Sequence, residues 1–166
     1  PNGRKRGVRG FDGHKKINGR KRHILVDAMG ILVAVVIHEG NIQDRAGVQQ
    51  LLEAVPKERT KLKHLWADQG YTGGGVKAIQ RHGWTVEITR HNADRSHGAW
   101  RTAQMPLFTS VRGFQLMRRR WVVERTCAWL GRYRRLSKDY EQSILSSKTW
   151  LWVATVRMLA QRLVFT

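Results

Sequence analysis

The alternation of apolar and polar runs along the chain predicts strands and helices in a mixed order. Two apolar runs, HILV and ILVAVVIHEG, flank residues 27–30, which have turn-forming chemistry. This arrangement predicts a β-hairpin, and the second run, rich in Val and Ile, is typical of a strand buried on both faces. Residues 41–55 have apolar positions at helical spacing, with Asn41 as a candidate N-cap and Asp44 three residues later. A helix is therefore expected after the hairpin.

The remaining runs continue this alternation towards the C-terminus. KHLWADQGY predicts a short buried strand that ends in a polar loop, GGGVKAIQRHG predicts a short helix, and WTVEITRH predicts another strand. Residues 92–111 are polar and predict a loop, whereas residues 118–138 predict one long helix. A second C-terminal helix is expected to be capped by Ser146 and Ser147. Together these elements predict an α/β fold with a mixed sheet, flanking helices and a helical C-terminal part.

The charge of the chain points to a class of partner. The 166 residues are enough for one domain, and 31 Lys and Arg against 12 Asp and Glu give a net charge of +19. Residues 1–22 form a basic segment rich in Gly, Arg and Lys, which leads into a domain at 23–166. We interpret this segment as a flexible arm or as a phosphate-contacting loop. Such an excess of positive charge favours a polyanionic partner, and nucleic acid is the usual one.

Cysteine content and the length of the apolar runs indicate the cellular setting. Cys127 is the single cysteine, so a disulfide framework is excluded and a reducing compartment is favoured. No run reaches the ~18 apolar residues of a membrane helix, so we expect a cytoplasmic protein without membrane contact. The chain begins at Pro1 rather than Met, which we interpret as a fragment, a processed product or a frame-shifted reading frame.

Two carboxylates lie where chemistry is expected. Asp68 closes a predicted strand, and ligands bind at this edge of α/β sheets, where a carboxylate suits Mg²⁺. Its alternative role is to cap the next turn. Helical spacing separates Glu124 from a core stripe of Val122, Trp129, Tyr133 and Leu136, and groups it with Arg120, Cys127, Gly131 and Arg135. The alternative for Glu124 is a surface pair with Arg120.

Three segments resemble a known family. GFDGHKKINGRKRHILVDAMGILVAVVIHEGNIQDRAG, LWADQGYTG and RRWVVERTCAWLGRYRRLSKDYE resemble, in this order, the catalytic domain of bacterial insertion-sequence DDE transposases. The resemblance covers nearly the whole chain and implies an RNase H-like fold. It implies metal-dependent DNA cleavage and strand transfer, with three carboxylates that hold two divalent ions, Mg²⁺ or Mn²⁺. The implied partners are double-stranded DNA, as transposon ends and target, and a second copy in a homodimer.

The resemblance places two of the three acids on this chain. Asp68 matches the second acid and Glu124 the third, both as catalytic and metal-binding residues. Arg120 matches an arginine that precedes the glutamate by one helical turn. The chain departs from the family pattern at Met117, where a tyrosine is frequent, and at Gly131, where a basic residue is usual. Arg132 and Arg135 are candidates to replace that residue in phosphate contact.

The first acid of the family has no counterpart in this chain. Asp12 and Asp27 do not match its position, which precedes the basic segment on a strand. We therefore expect an incomplete metal site, a sheet that lacks its first strand, and no activity of this polypeptide alone.

We expect a bacterial protein associated with the nucleoid. Its predicted DNA contacts fall into two basic clusters. They are Arg4, Lys5, Arg6, Lys15, Lys16, Arg20, Lys21 and Arg22, and Arg118, Arg119, Arg132, Arg134 and Arg135. Such contacts position DNA without reading its sequence. Two alternatives stay open, a catalytically dead DNA-binding remnant and an unrelated basic RNA-binding protein.

Overall fold

A computed structural model describes residues 7–56, 61–89 and 120–164 of the chain. Strands and helices alternate along these ranges, which confirms the predicted α/β class. The strands are β1 (Gly10–Asp12), β2 (Ile17–Val26), β3 (Leu32–Glu39), β4 (His64–Asp68) and β5 (Thr85–Thr89). The helices are α1 (Asp44–Glu53), α2 (Gly74–Arg81), α3 (Arg120–Gly131), α4 (Arg134–Ser137) and α5 (Ile144–Val164), with a 3-10 turn at Gln69–Tyr71.

The predicted hairpin forms β2 and β3 of an antiparallel sheet in the order β1-β2-β3, in which β2 is the central strand. Its turn is fixed by Asp27, whose carboxylate accepts hydrogen bonds from the backbone N–H groups of Met29 (2.9 Å) and Ile31 (2.8 Å). Gly30 completes the turn at φ +80°, a conformation that disfavours other residues. Most of β3 is buried, as its apolar run predicts.

The basic segment is not a flexible arm where the structure describes it. Residues 10–12 form β1, and β2 begins at Ile17, so the basic residues 20–22 lie in a strand that pairs with β3. Extended pairing places alternate side chains of this strand on opposite faces. Arg4, Lys5 and Arg6 lie outside the described residues.

Parallel strands β4 and β5 form a second sheet, joined through α2. Among the described residues, the two sheets share no strand pairing, so the predicted single mixed sheet appears as two separate sheets. Helix α1 packs against β2, β3 and α2, and it thereby bridges them.

Two apolar clusters hold these layers together. The first joins β3 to the C-terminal helices, and the second joins α1, β4 and α2. The buried members of the first are Leu32, Val35, Ile37, Leu130, Leu136, Leu151 and Ala154. Those of the second are Val48, Leu52, Leu65 and Ile79. No described helix has both the length and the apolar character that crossing a membrane requires.

Three predicted helix boundaries are wrong. Helix α1 begins at Asp44 with Gln43 as N-cap residue, rather than at Asn41. The helix predicted at 118–138 ends at Gly131 and resumes as α4. The last helix begins at Ile144, where the hydroxyl of Ser143 accepts from the N–H of Leu145 (3.1 Å). The predicted loop at 92–111 lies outside the described residues.

The buried stripe of α3 also differs from its prediction. Val122 is buried as expected, but Thr126 and Leu130 complete the stripe. Trp129 is only half-buried, and its ring stacks on the guanidinium groups of Arg125 and Arg162. A polar threonine is tolerated in the core since its hydroxyl donates to the Gly30 carbonyl (2.9 Å).

Candidate active site

A cleft of about 500 Å³ opens between the two sheets and the segment after α4. Basic and acidic side chains line it together, which suits a site that holds phosphate groups beside carboxylates. The basic residues are Lys15, Arg20, Lys21, Arg22 and Lys138. The acidic residues are Asp12, Asp44, Asp68 and Asp139, and Tyr71 and His23 are also in the lining.

Asp68 is located as its sequence position predicts. It is the last residue of β4 and is exposed at the cleft. Its Oδ1 accepts a hydrogen bond from the N–H of Gln69 (2.8 Å), so it also caps the 3-10 turn. Binding of a metal ion and capping of the turn are both compatible with this geometry, because the capping bond uses only one carboxylate oxygen.

Glu124 is exposed on α3, opposite the buried stripe, as predicted. Helix α3 packs against both β2 and β4, so it spans the interval between the two sheets. Arg22 of the cleft and Glu124 both act on Cys127, whose thiol pKa is raised chiefly by burial, with Glu124 raising it further and Arg22 opposing.

The hairpin turn fixes α3 in this position. Arg125 donates to the carbonyl of Met29 (3.1 Å), and Thr126 donates to that of Gly30 (2.9 Å). The guanidinium of Arg125 lies between the rings of Trp121 (4.4 Å) and Trp129 (4.6 Å), which stabilises its conformation by cation–π contact. The two residues that follow position 124 are therefore anchored.

The basic residues predicted to contact DNA differ in their accessibility. Lys15 and Lys16 are exposed in the β1–β2 turn, and Arg132, Arg134 and Arg135 are exposed around α4. Arg135 pairs with Glu141 (2.9 Å) and lies over the ring of Trp150. The side chain of Arg120, together with Arg118 and Arg119, lies outside the described residues.

The side chain of Arg20 is buried against an internal partner and is not exposed at the surface. Its side chain is 1% exposed, and it donates to both carboxylate oxygens of Asp139, at 2.7 and 2.6 Å. It also donates to the carbonyl of Glu141. A guanidinium committed in this way connects β2 to the segment after α4, so we leave Arg20 out of the proposed DNA-binding surface.

Lys21 is similarly engaged within the cleft wall. Its ammonium donates to the carbonyl of Ile42 (2.9 Å) and pairs with Asp44 (3.2 Å) and Asp12 (3.4 Å). The pKa of Asp12 is lowered, chiefly by a hydrogen bond from the N–H of Lys15. Arg22 donates to the carbonyl of Leu136 (3.1 Å). These bonds join β2 to β1, α1 and α4 around the cleft.

Two carboxylates are too few for a two-ion site. Among residues 7–56, 61–89 and 120–164, no group of three His, Cys, Asp or Glu side chains is arranged to hold a metal ion. Asp68 and Glu124 have the oxygen chemistry that hard cations prefer. However, two ions about 3.5–4 Å apart require more ligands than these residues provide. The described residues alone therefore do not fit the pair of ions that the family resemblance implies.

A buried histidine pair, which the sequence interpretation missed, borders the cleft. His23 of β2 and His38 of β3 are 3% and 5% exposed, and their rings stack with centroids 4.6 Å apart. The Nδ1 of His23 and the hydroxyl of Tyr71 lie 2.5 Å apart in a hydrogen bond. The only sequence signal is that His23 and His38 occupy inward positions of paired strands.

The pKa of His23 is lowered to about 4, chiefly by burial and also by the neighbouring His38. Burial also raises the pKa of the Tyr71 hydroxyl, with additional contributions from Asp44 and Asp68, so this hydroxyl stays protonated. The charged groups that act on His23 from the surrounding elements are His38, Asp44, Lys21 and Lys15.

We expect the folded chain to lose stability as the pH falls from 6.5 to 4, because of His23. In this window the unfolded chain binds a proton at position 23, whereas the folded chain, with a pKa of about 4, does not. The free energy of unfolding should decrease by on the order of 2 kcal/mol across the window. Urea denaturation at about pH 7 and about pH 4.5 measures this loss.

His23→Asn removes the titrating group and should flatten that part of the pH dependence. The matched control is His14→Asn, since His14 is exposed in the β1–β2 turn and its replacement should leave the dependence intact. An equal loss of stability in wild type and His23→Asn would show that other groups cause it.

Comparison with known proteins identifies the family. The sequence model of a protein family, the transposase DDE domain, matches residues 1–159. A protein from Burkholderia cepacia, assigned as the transposase for insertion sequence element IS402, is 29% identical over 132 residues. That match covers 75% of this chain and 54% of the relative, so the chain spans about half the relative's length. No solved structure matches significantly. Since the family match covers almost the whole chain, this protein belongs to the DDE transposases of insertion sequences.

Proposed function

We propose that this chain supplies part of the catalytic domain of a transposase that cuts and joins DNA at insertion-sequence ends. The cleft is the observation that supports this most. Asp68 lies there at the carboxyl end of β4 among basic side chains, and the helix that carries Glu124 packs against both β2 and β4. Carboxylates next to basic side chains suit this reaction, because the carboxylates can act on one phosphate while the basic side chains hold neighbouring phosphates.

We propose that Asp68 and Glu124 are two acids of an RNase H-like metal site. In the complete enzyme, Asp68 and Glu124 would help to hold two divalent ions, Mg²⁺ or Mn²⁺, which would supply Lewis-acid chemistry for phosphoryl transfer. The third acid would come from a further strand, for which the absence of pairing between the two described sheets leaves an interval. This chain alone would then be inactive.

The proposed partner is double-stranded DNA, held by the accessible basic residues around the cleft. This surface is narrower than the sequence prediction, because Arg20 is buried and Lys21 is engaged with Asp12, Asp44 and the Ile42 carbonyl, and it gains Lys138 of the cleft lining. Its described members are Lys15, Lys16, Arg22, Arg132, Arg134, Arg135 and Lys138. A homodimer that pairs two ends, in the bacterial cytoplasm beside the nucleoid, completes the proposal. Membership of the transposase family argues against the unrelated RNA-binding alternative.

A DNA-binding remnant without catalysis is the second candidate. The observation that favours it is the lack of a third metal-ligating side chain near either acid among the described residues. Its basic cleft would still hold phosphates through charge, with strong dependence on salt concentration.

Cleavage of DNA that contains the element's ends, in Mg²⁺ or Mn²⁺, distinguishes the two candidates. We expect the chain alone to bind DNA without cutting it, and the chain extended upstream by an Asp-bearing strand to cut and join DNA. Removal of divalent ions by EDTA should abolish cutting but spare binding. An extended protein that binds tightly yet never cuts, with either metal, would favour the remnant.

A further inference from the structure

Asp68 pairs with Thr89 of β5, and the turn that follows it makes contacts that cross to the other sheet. Its sheet shares no strand pairing with β1-β2-β3 among the described residues. The residues that follow it, Gln69–Tyr71, form a single 3-10 turn, which provides little rigidity by itself. The turn packs on β5 and α2, and side-chain contacts with β2 and α1 add to what holds it.

Two such contacts meet the turn. The hydroxyl of Tyr71 bonds with the Nδ1 of His23, at 2.5 Å. The carboxylate of Asp44 packs so closely on Gly70 that a methyl group added there would lie 2.9 Å from Oδ2. Asp44 is itself held by Lys21 at 3.2 Å. The turn is thus bound by a hydrogen bond on one side and confined by a carboxylate on the other.

His23 is prevented from moving away from this bond. Its ring stacks on that of His38, whose Nδ1 donates to the carbonyl of Glu39 (2.8 Å). Gly47 of α1 closes the other side: a methyl group added there would lie 2.5 Å from Nε2 of His23 and 2.6 Å from Nε2 of His38. Both Nε2 atoms are buried and make no hydrogen bond to another described residue. These close contacts on the ring therefore hold the Nδ1 of His23 in one orientation.

We propose that His23 is a positioning residue for the metal-binding acid Asp68, acting through its hydrogen bond to Tyr71. It touches neither DNA nor metal in this role. The bond links the centre of the antiparallel sheet to the turn that begins at Asp68, and so sets the direction of that carboxylate at the cleft. The role in metal binding rests on the proposed function, whereas the role in fixing the turn does not.

Hydrogen exchange in this chain tests the positioning directly. Tyr71→Phe removes only the hydroxyl, and we expect the amides of Gln69 and Thr72 to exchange about fivefold faster, while those of β3 stay unchanged. His23→Leu should act in the same way. His23→Asn should restore slow exchange, because its amide group can either donate to or accept from the Tyr71 hydroxyl.

Tyr133→Phe is the matched control, because Tyr133 is half-buried in the other apolar cluster. Equal acceleration throughout β3 and the turn would reduce His23 to a general stabilising role and overturn the proposal. Unchanged exchange at Gln69 and Thr72 in Tyr71→Phe would also overturn it.

Mn²⁺ binding by the upstream-extended protein, measured by electron paramagnetic resonance, supplies the functional readout. In that protein Asp68→Asn should remove binding at the cleft, and Tyr71→Phe should weaken it about tenfold, as the loss of an outer-shell contact does. Equal Mn²⁺ affinity in the unmodified extended protein and its Tyr71→Phe variant would overturn the link from His23 to Asp68. An extended protein that binds no Mn²⁺ would instead count against the proposed function, and the exchange data would still decide how the turn is held.

Discussion

In the upstream-extended protein, Glu124→Gln is expected to reduce DNA cleavage and strand transfer by at least about 10³-fold. The substitution keeps the length and shape of the side chain but replaces a charged carboxylate with a neutral amide. Divalent ions prefer carboxylate oxygens, and the negative charge contributes most of the affinity. The measurement is the rate of end cleavage in Mg²⁺ and Mn²⁺ under single-turnover conditions.

This loss should occur without a loss of folding. Glu124 is exposed, and the face that anchors α3 consists of Val122, Thr126 and Leu130. An exposed substitution of this kind usually changes the free energy of unfolding by no more than about 0.5 kcal/mol. Glu53→Gln is the matched control, since Glu53 is exposed at the end of α1. Cleavage within about threefold of the unmodified protein would remove Glu124 from the metal site.

Local patterns predicted the elements that carry the proposed acids. The apolar run of β3, the strand that ends at Asp68 and the helix that carries Glu124 each depend on neighbours in sequence. The predicted helix boundaries were wrong where another nearby residue could also begin or end the helix. Asn41 is a suitable cap by residue type, but the helix starts at Asp44 after Gln43. Gly131 interrupts a periodicity that otherwise continues to residue 138.

Contacts between distant residues were not predictable in this way. The bond between His23 and Tyr71 spans 48 residues, and no spacing rule connects the two. Arg20 looked like its basic neighbours in the sequence, although its partner Asp139 lies 119 residues away. Composition assigns such an arginine to a charged surface, whereas the fold encloses it. A basic segment therefore gives the number of cations, and the packing decides which of them can reach DNA.

The pair of Arg20 and Asp139 should have the largest effect on stability of any ion pair in the described structure. Asp139→Ala leaves a guanidinium that is 1% exposed without its carboxylate partner. Removal of one member of a buried ion pair costs about 3–5 kcal/mol, because the remaining charge stays desolvated. Asp139→Asn should cost less, since the amide oxygen still accepts one hydrogen bond. Urea denaturation of the chain measures both values.

A double replacement separates the cost of an unpaired charge from the value of the pair. Arg20→Met combined with Asp139→Leu removes both charges, and it should recover most of the stability that Asp139→Ala loses. Arg135→Met is the matched control, because Arg135 is 57% exposed and its pair with Glu141 should contribute less than about 1 kcal/mol. If Asp139→Ala cost no more than this control, Arg20 would be able to leave the interior, and its assignment to the DNA-binding surface would regain support. If the cost is large, the buried pair is what holds the segment carrying Lys138 against β2, and the shape of the cleft depends on it.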